Sequence, residues 1–352
     1  MSRVAVIGAG SWGTAMTGLV APAVNEVVLW ARTPEAVAAL NRDHRNPNHL
    51  PDYTLAANVS ATSDLSLAVC DVDAAILATP SAYLRETCRS LAPHLAEDAR
   101  VLVLSKGMER GSHLLMHEVA AQELGNPTRV AALSGPNHAE EICRGMVSAA
   151  VVASENAETA AFFQGILAGP TFRAYVSDDV RGVECCGAVK NVVAIACGIA
   201  SGMGMGDNTL AVLMTRGIAE IGRVVAALGG NPMTCMGLAG MGDLVVTCTS
   251  EHSRNRSFGR ALVAGETLES YQARTHMVVE GVPASASVLE LAQERGIEVP
   301  ITAGVHAVLF EGRPIGDAME GLLTRAPRTE FYGMEEREIA SKEKQCQRIT
   351  CR

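Results

Sequence analysis

The residues with the clearest chemical potential are Gly187-Ala188-Val189-Lys190-Asn191, because they set one lysine inside a long apolar run. From Cys185 to Gly206, Lys190 is the only charge. Burial disfavours an ammonium, so a lysine held there is expected to give and take a proton near neutral pH. The plain alternative is a core helix whose lysine snorkels to the surface. A membrane span is disfavoured: the run mixes Lys190, Asn191 and Ser201 with repeated glycines, and a central lysine costs roughly 2.5–3.5 kcal/mol on insertion scales.

Two further constellations carry chemistry. Gly8-x-Gly10-x-x-Gly13 follows the apolar run Val4–Ile7 and opens a helical pattern from Thr14 to Val20, which is the context a dinucleotide-binding turn requires. Its glycines permit a tight turn and let a pyrophosphate approach backbone N–H groups at a helix N-terminus. Sites that prefer NAD usually place Asp or Glu about 20 residues further on; this chain has Arg32. A guanidinium suits a 2′-phosphate, so NADP(H) is the expected cofactor, with NAD(H) also able to serve. In the second half, Gly240-Met241-Gly242-Asp243 leads to Thr247 and then to Ser250-Glu251-His252-Ser253-Arg254-Asn255-Arg256. An arginine set among Ser, Asn and a second Arg is equipped to hold a phosphate, against the plainer reading of a solvated helix start.

These groups need elements to position them. A second strand, Glu26 to Trp30, ends in Ala31-Arg32, and Thr33-Pro34 caps a new helix with proline at its first position. Further strands are expected at 74–78, 101–104 and 130–133, each followed by a turn and a helical segment. Such alternation implies an α/β fold with a parallel, doubly wound Rossmann-type sheet. Ligands of such sheets sit beyond the carboxyl ends of the strands, so Thr79-Pro80-Ser81, Ser105-Lys106-Gly107 and Ser134-Gly135-Pro136 should face one cleft. Strand-like runs at 148–153 and 172–176 close this half. Beyond Asp178-Asp179 the periodicity is helical, at 182–199, 210–228, 259–264, 284–295 and 304–309. The expected layout is a dinucleotide-binding domain at 1–178, an all-helical substrate domain at 179–326, and a charged, frayed tail at 327–352 in which Cys346 and Cys351 are too few for a metal site.

Composition narrows the class. A chain of 352 residues, 48% hydrophobic, can bury two cores. A net charge of −9 argues against a general nucleic-acid binder. Ten cysteines in a chain of this size, several in apolar helical contexts, with no leader pattern at the start, point to a reducing cytoplasm and not to a disulfide framework.

Together these pieces resemble the bacterial NAD(P)-dependent glycerol-3-phosphate dehydrogenases over about residues 3–326. The shared motifs are GAGSWGTA at the N-terminus, SKG at 105–107, SGP at 134–136, GAVKN at 187–191, GDLVVTCTS at 242–250, SRNRSFG at 253–259 and VVEG at 278–281. One departure is Asn137-His138, where many members carry Thr-Phe; position 137 stays polar. The resemblance implies reversible reduction of dihydroxyacetone phosphate to sn-glycerol 3-phosphate, the backbone of phospholipids. It implies Lys190 as the acid, with Lys106 and Asp243 beside it. Around the substrate it places Lys106, Gly135, Asn137, Lys190, Asp243, Ser253, Arg254 and Asn255, and Thr247 as a weaker contact. For the cofactor it points to Gly8, Gly10, Ser11, Trp12, Gly13, Arg32, Lys106, Ala139, Arg254, Val278 and Glu280. Asp243 should raise the pKa of Lys190 while burial lowers it, and the sequence leaves that contest open.

Other signals are set aside. His113 and His117, four apart with Glu118 adjacent, read as a hydrated helix surface and not as a zinc pair, since no third ligand follows. His138 is given no proton-transfer role while Lys190 is present. No metal is expected, because two lysines supply the positive charge. A homodimer is expected from the apolar helical domain. The competing readings are a related two-domain dehydrogenase with a carboxylate substrate and a non-catalytic NADPH-binding protein.

Overall fold

The computed structural model describes residues 2–275, 277–326, 328–330, 332 and 333. Most of the expected tail, including Cys346 and Cys351, lies outside the described residues.

The strands are β1 (Arg3–Ile7), β2 (Glu26–Trp30), β3 (Val59–Thr62), β4 (Ala74–Leu77), β5 (Arg100–Val103), β6 (Val130–Ser134), β7 (Ser148–Ala153) and β8 (Phe172–Ser177). They form one sheet in the order β3-β2-β1-β4-β5-β6-β7-β8. Alternate residues serve opposite faces: Val4, Val6, Leu29, Ile76 and Leu102 belong to one core cluster. Ala5, Ile7, Val28, Leu77 and Val103 belong to the other. Both faces are therefore covered, which is why these strands read as unbroken apolar runs.

The parallel expectation holds from β3 through β6, but β6 pairs with β7 antiparallel. The reason is reach. Only the 5-residue helix Ala139–Cys143 lies between them, about 7.5 Å of helix at 1.5 Å per residue, too short to carry the chain back across the sheet. The chain turns at the carboxyl edge and returns, and β8 then pairs parallel with β7. Strand β3, Val-Ser-Ala-Thr, is too short and polar to stand out in the sequence.

The second half is helical around Val180–Gly202. This helix is long and apolar enough to span a bilayer, yet its most apolar 18-residue window is 100% buried within the protein. Its neighbours include Asp207–Ala227, Asp243–Thr249, Arg254–Val263 and Gly281–Arg295. The crossing with Arg254–Val263 is close enough to require glycine: a Cβ on Gly198 would lie 2.1 Å from the Arg256 carbonyl oxygen, and one on Gly259 would lie 2.2 Å from that of Ile195. Gly198 and Gly202 of the apolar run are thus packing positions, whereas Gly204 and Gly206 face open space.

Candidate active site

Lys190 leaves the middle of the core helix with only 6% of its side chain exposed and is held by two bonds. Its Nζ donates to Asp243 Oδ1 at 2.5 Å and to Thr247 Oγ1 at 2.6 Å. Asp243 and Thr247 lie one turn apart on the helix Asp243–Thr249, so both face the lysine. The other carboxylate oxygen, Oδ2, accepts from Lys106 Nζ at 2.7 Å and from Ser134 Oγ at 3.3 Å. One carboxylate therefore bridges two ammonium groups. Lys106 comes from the turn after β5 and also donates to the Gly135 carbonyl and to Asn137 Oδ1, each at 3.3 Å.

The contest over Lys190 resolves toward burial. Desolvation outweighs the attraction of Asp243, Lys106 repels in the same direction, and the pKa falls to about 8. Burial pushes the Asp243 carboxyl up, but the charges of Lys106 and Lys190 prevail and hold it below the usual carboxylate range. A permanently charged carboxylate thus tethers a lysine able to change protonation near neutrality.

The three expected turns do converge. Ser105 Oγ donates to the Thr79 carbonyl at 2.5 Å, and Lys106 reaches Gly135. The 278–281 segment returns to the same edge: Glu280 accepts from the Ser81 hydroxyl at 2.5 Å and from its backbone N–H at 3.2 Å. Val278 is half-buried beside buried Val279. At the other side, Ser253 caps the helix Arg254–Val263 by accepting from the Arg256 N–H. That bond leaves the N–H groups of Arg254 and Asn255 with no intrahelical acceptor, and the exposed Arg254 guanidinium makes no ion pair among the described residues. Asn255 is buried, and its amide is committed elsewhere. It donates to Asn191 Oδ1 and accepts from the Gly281 N–H, both at 2.9 Å. Thr247 is likewise committed, accepting from Lys190 and donating to the Asp243 carbonyl oxygen at 2.6 Å.

The crevice at β1 fits a dinucleotide. Gly8 adopts φ +117°, and a Cβ on Gly13 would lie 1.8 Å from the Gly8 carbonyl oxygen. Gly10 precedes the helix Ser11–Val20, whose first turn has no side-chain cap, and nothing lies within 4 Å of where a Gly10 Cβ would stand. The first N–H groups of that helix, including those of Ser11 and Trp12, are available to a phosphate. Trp12 is half-buried against the sheet. Arg32, just past β2, is exposed and unpaired among the described residues. Ala139 begins the short helix after β6.

Sequence reasoning missed several contributors. Ser81, Ser134 and Asn191 carry no assigned role in the motifs and turns that contain them, and nothing in the sequence marks Asn46. Its buried amide donates to the Ala9 carbonyl at 2.8 Å and to Thr14 Oγ1 at 2.9 Å, bracing the glycine turn. The hydrated-surface reading of His113 and His117 is corrected. His113 precedes the helix Met116–Leu124 and sits between Glu290 and Glu294 with a side chain 10% exposed. His117 is buried and bonded through Nδ1 to Glu184 of the core helix at 2.6 Å. Spacing alone could not reveal partners from distant helices. Among the described residues no cluster of three or more His, Cys, Asp or Glu could hold a metal.

Comparisons with known proteins cover nearly the whole described chain. The family described as the NAD-dependent glycerol-3-phosphate dehydrogenase N-terminus matches residues 3–160, and its C-terminus counterpart matches 179–320. A Thermobifida fusca protein named as an NAD(P)+ glycerol-3-phosphate dehydrogenase is 46% identical over 336 residues, covering 95% of this chain and 100% of its own. A Nocardia farcinica protein of the same name is 48% identical over 332 residues, covering 92% and 98%. The crystal structure of glycerol-3-phosphate dehydrogenase from Coxiella burnetii superposes with a TM-score of 0.87 at 38% identity, covering 92% of this chain and 99% of that one. A ketopantoate reductase from Ralstonia eutropha, with a TM-score of 0.56 at 20% identity over 90% of this chain and 99% of that one, shares the fold alone.

Proposed function

The chain belongs to the NAD-dependent glycerol-3-phosphate dehydrogenase family, and on that premise we propose that it reduces dihydroxyacetone phosphate reversibly to sn-glycerol 3-phosphate. The observation that carries the chemistry is the Lys106–Asp243–Lys190 bridge. When bound, NAD(P)H supplies the hydride to the substrate's C2 carbonyl. Every other requirement falls to side chains and backbone N–H groups of this protein. Reduction builds negative charge on the C2 oxygen, which needs a positioned acid and nearby cations. Lys190 as ammonium supplies the proton, and as neutral amine takes it back in the oxidative direction. Lys106 stabilises the developing alkoxide, Asp243 holds both lysines, and Thr247 orients Lys190.

For the substrate phosphate, the exposed Arg254 guanidinium and the open N–H groups behind the Ser253 cap offer charge and donors together. Asn137 and the Gly135 turn stand beside Lys106. Asn255 supports the site through its backbone N–H, since its amide is engaged with Asn191 and Gly281. For the cofactor we assign Gly8, Gly10, Ser11, Trp12 and Gly13 to the pyrophosphate turn, Arg32 to a 2′-phosphate, and Lys106, Ala139, Arg254, Val278 and Glu280 to the remainder. The charge of Arg32 favours NADP(H) over NAD(H).

The proposal extends to organisation and setting. Residues 1–178 form the dinucleotide-binding domain and 179–326 the substrate domain, a division supported by the end of β8 at Ser177 and the start of the core helix at Val180. The protein acts as a homodimer in the cytoplasm and supplies the glycerol backbone of phospholipids. A light-scattering mass equal to one chain at all concentrations would contradict the dimer. The activity itself is tested by NADPH oxidation with dihydroxyacetone phosphate beside ketopantoate: turnover of the first alone supports the assignment, and turnover of ketopantoate alone overturns it.

A further inference from the structure

We propose that His138 is a substrate-positioning residue that bonds the phosphoryl end of the substrate and takes up a proton as the phosphate dianion enters. The inference rests on the substrate assignment above. His138 directly follows Asn137, whose Oδ1 accepts from Lys106, so it belongs to the turn beside the two lysines. Its ring centroid lies 6.0 Å from that of His252, which stands two residues before Arg254 at the open helix N-terminus. The residue thus sits between the carbonyl end of the site and the phosphate end. Its Nε2 is closed off from solvent and has no hydrogen-bond partner among the described residues. A polar atom left unpaired in that way costs free energy that a bonding ligand removes.

The charges around the ring fix its protonation. Burial pushes the imidazole down from its usual range, Lys190 on the core helix pushes it further, and Glu140, Asp243 and Glu141 oppose more weakly. Glu140 and Glu141 come from the short helix after the turn, Asp243 from its own helix, and the His252 ring from the facing loop. In the free protein at neutral pH the ring is therefore neutral. A phosphate dianion placed beside it adds negative charge that these groups do not supply and raises its affinity for a proton. The ring must turn to bring Nε2 out to the entering phosphate; solvent then delivers that proton, no covalent bond to carbon changes, and the imidazolium donates through Nε2 to a phosphate oxygen.

The test is the pH dependence of the dihydroxyacetone phosphate KM in His138→Phe and His138→Gln, with NADPH titration and Tm reporting on folding. Near pH 6.5 the KM of His138→Phe should rise about tenfold, and that of His138→Gln by less because its amide keeps a neutral donor. The loss should fall on KM more than on kcat and should shrink above pH 8. A KM within about twofold of wild type throughout, or a deficit that ignores pH, overturns the proposal. The wild-type protein supplies a second readout: NADPH-saturated protein mixed with sn-glycerol 3-phosphate in weak buffer near pH 7.5 should take up protons, and more of them than His138→Gln. Absence of uptake by wild type overturns the proposal even if both variants fail to fold. Failure of the wild type to turn over dihydroxyacetone phosphate defeats the substrate assignment, which distinguishes it from a failure of His138 alone.

Discussion

Lys190 Nζ and Asp243 Oδ1 meet at 2.5 Å where the two side chains expose only 6% and 3% of their surface. The pair joins the core helix to a helix 53 residues away in sequence, and its second oxygen passes the contact on to Lys106. A carboxylate shared between two cations is stabilised in its charged form, and the buried lysine it holds remains labile.

A pH profile follows from that lability. With the Lys190 pKa at about 8, the ammonium required for reduction is full below that value and lost above it. Reduction of dihydroxyacetone phosphate should decline at alkaline pH, and oxidation of sn-glycerol 3-phosphate should rise through the same range. Asp243→Asn removes the charge that raises the Lys190 pKa, so the falling limb of reduction should move to lower pH; steady-state kcat/KM profiles decide it. An unmoved limb would mean that another group supplies the proton.

Cofactor choice is tested at Arg32. Its guanidinium is exposed and unpaired among the described residues, free for a 2′-phosphate. Arg32→Asp should raise the NADPH KM far more than the NADH KM, by about tenfold or more for NADPH. Equal effects on both cofactors would remove the 2′-phosphate assignment.

Gly13 is tested by a single methyl. The added Cβ of Gly13→Ala would stand 1.8 Å from the Gly8 carbonyl oxygen, so the turn must shift. NADPH affinity, followed by fluorescence titration, should fall about tenfold or more, with Tm also lowered. Wild-type affinity in this variant would mean that the turn does not cradle the pyrophosphate.

Part of this site was legible in the sequence and part was not. The glycine turn and Lys190 stand out because each sits in a context that fixes its environment, glycines between a strand and a helix or a charge in an apolar run, whereas the roles of Lys106 and Asp243 come from the motifs shared with the family. The direction of β7 was hidden because strand periodicity is identical for parallel and antiparallel pairing. Asn255 reads as a ligand contact, and its amide in addition ties three helices together, which only long-range partners reveal. His117 was misread for the same reason, since Glu184 lies 67 residues away.

That buried pair gives a stability prediction. Burial alone would lower the His117 pKa, but Glu184 prevails and raises it above the ordinary value. Since the folded value exceeds the unfolded one, the pair's contribution is full below about pH 6.5 and is lost as pH rises through the folded value. Glu184→Gln should lower Tm by about 3 °C or more near pH 6, with a smaller difference near pH 9. A difference independent of pH would show that His117 is not charged in the folded protein.

The most direct test of the central claim is the loss of NADPH absorbance when the purified protein meets dihydroxyacetone phosphate, run beside Lys190→Ala. Wild type should oxidise NADPH rapidly, and the variant should be slower by on the order of 100- to 10,000-fold while still binding NADPH. Comparable rates in the two proteins would contradict the assignment of Lys190 as the acid, and no turnover by wild type with NADPH bound would contradict the reaction itself.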